Sequence, residues 1–104
     1  MSPPFASILH REAIQKLADT RSFARGRDYF ARGKVRSLTR RGTSLTGVVE
    51  GESPYAIRIW VKDQSLAYTC SCPQGEEGNF CKHCVALSLA WLAEAAKTPI
   101  REGK

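Results

Sequence analysis

An α+β fold is predicted for this chain, with helices at the N-terminal end, a four-stranded antiparallel meander and a C-terminal helix. Three observations carry that expectation. Apolar residues recur at three- and four-residue intervals before Gly33, the period changes to two from Lys34, and a run of strong helix formers closes the chain after Lys82. A chain of 104 residues suits one domain better than two. Residues 1–33 are expected as an N-terminal helical segment packed as one domain with residues 34–97, and residues 98–104 as a tail.

The first helix follows from Leu9, Ala13, Ile14, Leu17 and Ala18, with Ser7 as its expected N-cap. A second helix is expected over residues 22–32, capped by Ser22, with Phe23 and Phe30 on one side and Gly33 as the stop. On it, Asp28 lies three residues after Arg25 and four before Arg32, so these charges can pair among themselves. Strands are expected over 34–40, 43–50, 54–62 and 65–72, separated by Arg41-Gly42, Gly51-Glu52-Ser53-Pro54 and Asp63-Gln64. The third alternates most clearly: Tyr55, Ile57, Ile59 and Val61 share one face, and Ala56, Arg58, Trp60 and Lys62 the other. The last helix spans about Lys82 to Lys97 and ends before Thr98-Pro99. Its apolar residues run nearly all the way round, which implies burial on two sides or a partner still missing. Leu87 and Trp91 are expected in the core.

All four cysteines and one of the two histidines fall in CSCPQGEEGNFCKHC, residues 70–84. On a strand, alternate side chains point the same way, so Cys70 and Cys72 present two sulfurs together at the end of the fourth strand. Eight residues containing Pro73, Gly75, Gly78 and Asn79 then turn the chain back to Cys81 and His83, where the last helix begins. The result is a four-point cage of three thiolates and one imidazole, the donor set of a structural, tetrahedral Zn²⁺ site. Three thiolates on a dication leave the site with a net charge of −1, which a helix N-terminus and Lys82 favour. Four protein donors leave no position for a reactive water. Such a site can contribute about 10–16 kcal/mol, more than the net stability of a typical small domain. The complete prediction is a small zinc-stabilised α+β domain holding one structural Zn²⁺.

The pattern Cys70-Ser71-Cys72, a variable loop, then Cys81-Lys82-His83 resembles the SWIM-type zinc finger. Cys72-Pro73, the run from Cys81 to Leu87, the upstream stretch GRDYFARGKV (Gly26 to Val35) and Tyr55 before an alternating strand extend the resemblance over roughly residues 25–93. It implies a non-catalytic module of the kind found in bacterial Swi/Snf-type ATPases and Mutator-type transposases, which binds DNA or other proteins. Cys84 departs from the pattern, where an apolar residue is usual. It leaves open a second ligand set of Cys70, Cys72, Cys81 and Cys84, with His83 outside it. It also creates Cys81-Lys82-His83-Cys84, a C-x-x-C sequence that in another setting is a redox dithiol. That reading leaves Cys70 and Cys72 without a role.

No serine–histidine–acid arrangement, phosphate-cradling glycine loop or open metal site is visible, so no catalytic residue is assigned and no small-molecule substrate is expected. His10 reads as an exposed helix residue, and Glu76 and Glu77 as solvated loop carboxylates. The formal net charge of +6 is concentrated. Residues 21–41 hold eight basic residues against the single acid Asp28, a net +7. This points to an anionic partner. DNA is the expected one, with RNA as a variant, and Arg25, Arg27, Arg32, Lys34, Arg36, Arg40 and Arg41 are the expected contacts. Arg58 and Trp60 extend the surface if their sheet face is open, with Arg36 and Arg40 continuing that face; otherwise the N-terminal helices cover it and bury Trp60. A protein partner, such as a host ATPase domain docked on the apolar last helix, is the competing expectation. No apolar run approaches the roughly 20 residues of a membrane span, and Phe5 to Leu9 is too short for a signal core. With clustered thiols, this predicts a cytoplasmic, reducing location. The ending Arg101-Glu102-Gly103-Lys104 is also compatible with a fragment of a longer protein.

Overall fold

The computed structural model describes residues 8–63 and 65–97, the last three as backbone only. Helices α1 (Arg11–Leu17) and α2 (Thr20–Ala31) precede strands β1 (Val35–Arg41), β2 (Ser44–Glu50), β3 (Pro54–Lys62) and β4 (Ser65–Cys70). A single turn, α3 (Pro73–Glu76), leads to the long helix α4 (Lys82–Lys97). The strands form one antiparallel sheet in the order β1-β2-β3-β4, so the predicted α+β architecture and its meander are those observed. Among the described residues no helix is long and apolar enough to cross a membrane.

The helix starts differ from expectation. The predicted cap Ser7 lies outside the described residues. The backbone N–H of Ala13 donates to His10 Nδ1 at 3.3 Å, so His10 caps α1. On α2 the cap is Asp19, whose Oδ1 accepts the Ser22 N–H at 2.7 Å, so Ser22 lies inside the helix it was expected to start. Gly33 takes φ 73 after the last residue of α2, the left-handed conformation that a stop requires. Asp28 pairs with Arg32 at 3.2 Å, as the i, i+4 spacing predicts.

Helix α4 lies against one face of the sheet, and α1 and α2 pack on α4. Leu45, Val49, Ile57 and Ile59 project from the sheet into the core, which they share with the buried residues of α4. At Gly47 the helix comes so close that an added Cβ would collide with Leu87 Cδ1. Gly26 does the same for the helix pair, because a Cβ there would overlap the Val85 side chain. From Phe80 to Trp91 every residue but Lys82 is buried. The apolar pattern of α4 is thus consumed within the chain as far as Trp91. No large apolar patch is left on its described side chains for a partner.

Register places the charged residues of β1. Val35 pairs with Val49 but Ser37 pairs with Val48, so Arg36 is the extra residue of a β-bulge. Directly paired residues share a face. Arg40 pairs with Leu45, which pairs with Ile59, so Arg40 stands at the edge of the helix-covered face. The expectation that Arg36 and Arg40 continue the Trp60 face is therefore corrected. Arg41 holds that position instead, in the row Arg41–Ser44–Trp60.

Candidate metal centre

The site forms where β4 runs out. Cys70 is the last residue of β4, pairs with Ile57 and faces the core at 4% exposure. The ladder ends there, two residues sooner than predicted, but Ser71 keeps hold of β3. Its N–H donates to Ala56 O, and its Oγ accepts the Ala56 N–H, both at 3.0 Å. The residue between the two cysteines thereby fixes both of them to the sheet. Cys72 follows, 3% exposed, and caps α3: its Sγ accepts the Gly75 N–H at 3.3 Å.

The second pair arrives on α4. Cys81 immediately precedes the helix and His83 is its second residue, both buried. The Sγ atoms of Cys72 and Cys81 are 3.5 Å apart. His83 Nδ1 stands 3.8 Å from Cys70 Sγ and 3.7 Å from Cys81 Sγ. A tetrahedral ion with Zn–S near ~2.3 Å and Zn–N near ~2.0 Å requires donor separations of about 3.5–3.8 Å. These three separations lie close to that range, and all four donor atoms lie within 4.8 Å of one another. The cysteines are free thiols, so no disulfide competes for the sulfurs. The residues present fit a structural metal ion.

Electrostatics favour ionisation at Cys81. Contacts from Cys70 and then Cys84 hold its pKa far below the usual thiol range, against the effect of burial. The same contact with Cys81, followed by burial, pushes the Cys70 thiol up. The Cys84 thiol is raised for the same two reasons. Cys81 sits at the start of α4, where the unpaired backbone N–H groups favour a thiolate.

Several groups were not picked out by sequence reasoning. The His83 ring is held between Tyr55, 4.7 Å away between centroids, and the edge of Tyr29 at 5.5 Å. A Cβ on Gly51 would stand 3.1 Å from His83 Nε2, so Nδ1 is the nitrogen turned to the sulfurs. Tyr29 and Tyr55 were present in the stretches that carry the family resemblance, but nothing in their spacing tied them to His83. Phe80 is buried and meets Tyr68 edge-on at 4.8 Å. Lys82 Nζ lies 5.9 Å from the centre of the Tyr29 ring, which in turn packs on His83.

Cys84 is fully buried with its Sγ 3.9 Å from Cys81 Sγ, but it is outside the four-donor cluster. The cluster contains His83, the arrangement preferred over a four-cysteine set. Cys70 and Cys72, idle in the dithiol reading, converge on Cys81 and His83. Glu76 and Glu77 are exposed, as expected.

The nucleic-acid candidates are spread over several surfaces. Arg25, Arg27 and Arg32 are exposed on or at the end of α2, and Arg32 is paired with Asp28. Lys34 is half-buried; Arg36 and Arg40 are exposed along the β1 edge, with Arg40 Nη1 donating to Gly42 O at 2.7 Å. Arg41, Arg58 and Trp60 share the sheet face away from α4. The alternative in which the N-terminal helices cover this face is excluded, because they pack on α4. Trp60 is half-buried there, with the Arg58 guanidinium 4.5 Å from its ring centre.

Comparison with known proteins agrees with this geometry. The SWIM zinc finger family model matches residues 55–92, just over a third of the chain. That segment runs from Tyr55 on β3 through both ligand pairs to Leu92 on α4. No curated protein and no solved structure matches the chain significantly. The segment matched by the SWIM zinc finger model contains the whole cluster of Cys70, Cys72, Cys81 and His83, which could hold a metal ion.

Proposed function

We propose that the chain is a non-catalytic, zinc-stabilised module that binds DNA through its basic segment, as an accessory to a larger machine such as an ATPase. The metal in this reading is one Zn²⁺ held by Cys70, Cys72, Cys81 and His83, since three sulfurs and an imidazole at tetrahedral spacing suit zinc above magnesium or calcium. With four protein donors the ion has no open position, and its role is to hold α4 to the end of β4. The reduced thiols suit a cytoplasmic setting.

One observation carries the DNA reading. The net +7 of residues 21–41 belongs to side chains that are exposed, Lys34 being half-buried, and only Asp28 opposes them. These cations would neutralise phosphates and release counterions, whatever the base sequence. The competing protein-partner reading needs a free apolar face on α4, and burial of residues 83–91 favours the DNA reading over it.

The test is duplex DNA binding as a function of salt. Affinity should fall with a log–log slope of about 0.9 per phosphate neutralised. Arg36→Glu with Arg40→Glu should weaken binding to all sequences alike. Absence of binding at low salt would refute the reading.

A further inference from the structure

The sheet face away from α4 has no helix on it, and its composition differs from that of the covered face. By register it carries Arg41, Arg58, Trp60 and Lys62, with Glu50 at the opposite end as the acidic residue among those described. The positive charge and the aromatic ring therefore share one corner. Beside them the cross-strand row Thr39–Thr46–Arg58–Thr69 supplies hydroxyls, and a depression of about 340 Å³ opens over that row.

We propose that this face binds single-stranded nucleic acid, with Trp60 as the stacking platform and Arg58 and Arg41 as phosphate contacts. The inference rests on the nucleic-acid reading above and narrows it to one strand form and one surface. Three observations support it. An indole at an uncovered sheet face offers a π-surface that any base can stack on, and such stacking requires a base outside a duplex. The Arg58 guanidinium carbon stands 4.5 Å from the centre of the Trp60 ring, so a cation able to meet a phosphate lies directly beside the stacking platform. Four strands at about 4.8 Å spacing make a face wider than the roughly 12 Å major groove, which admits a helix or a two-stranded ribbon. A duplex can touch this face only along its backbone.

The experiment uses the full zinc-loaded chain with a fluorescein-labelled oligo(dT) strand and a hairpin duplex of equal length, in low salt. Tryptophan emission is followed in parallel, with the core residue Trp91, 7% exposed, as the constant background. Oligo(dT) should bind more tightly than the duplex and quench Trp60. Trp60→Leu, which leaves the core face of the sheet intact, should weaken strand binding about 10-fold and leave duplex binding unchanged. Arg58→Ala should weaken strand binding as well. Equal or tighter duplex binding, with no quenching and no effect of Trp60→Leu, would overturn this inference while leaving the DNA reading in place. Binding to neither form would overturn both.

Discussion

A Cβ on Gly75 would stand 2.5 Å from both the Cβ and the carbonyl oxygen of Cys70. The turn that carries the chain from the first ligand pair to the second is pressed directly onto the first ligand. The obstacle is backbone and the root of a side chain, neither of which can swing aside. Gly75→Ala should therefore displace α3 from β4, destabilise the fold by about 1–3 kcal/mol and weaken metal binding. Thermal unfolding and a zinc competition titration read the two effects, and a variant with unchanged midpoint and affinity would contradict the packing described here.

His83 and Cys84 are neighbours, but only His83 belongs to the four-donor cluster. If about 10–16 kcal/mol is shared over four donors, loss of one costs on the order of 100-fold in affinity. His83→Ala should show that loss in a competition titration. Cys84→Ala should leave zinc affinity nearly unchanged and affect only packing. The reverse result would establish the four-cysteine site.

Metal affinity should rise with pH. The Cys70 thiol is raised by its contact with Cys81 and by burial, so it is protonated at neutral pH in the metal-free chain. The Cys81 pKa is depressed by its contacts with Cys70 and Cys84, which favours ionisation there first. Loading must therefore expel the Cys70 proton, and the loaded form holds fewer protons than the free one. Affinity should fall by at least about tenfold per unit as pH drops through and below neutrality. Zinc competition titrations between pH 6 and 8 measure this, and a flat profile would contradict it.

Ser88 is fully buried on α4, and its Oγ has no hydrogen-bond partner. A buried hydroxyl without a partner costs about 1–3 kcal/mol, and alanine is the better helix former. Ser88→Ala should raise stability by about 1 kcal/mol in denaturant unfolding. A lower midpoint would show that the hydroxyl is engaged.

Much of this arrangement was legible in the sequence, for physical reasons that differ by element. The β3 alternation was readable because one face of that strand is buried, and the bounds of α4 because a run of strong helix formers ends before Thr98-Pro99. The C-x-C and C-x-H pairs were readable because ligand chemistry restricts residue type and spacing at once. The bulge at Arg36 was not, because VRSLTRR is polar on both faces and no apolar pattern marks a slip by one residue. Capping by Asp19 rather than Ser22 was equally hidden, since both side chains can accept the first free N–H and only tertiary packing selects between them. The enclosure of His83 by Tyr29, Gly51 and Tyr55 joins three distant segments, and such proximity exists only once the chain is folded.

The central claim is that one metal ion joins the end of β4 to the start of α4 through Cys70, Cys72, Cys81 and His83. Hydrogen exchange of the purified chain, with zinc content measured before and after a strong chelator, tests it most directly. One zinc per chain is expected, with a loss of protection after chelation that is greatest between Cys70 and Val85. A chain that emerges without zinc, or that keeps full protection across this segment once the metal is removed, would contradict it.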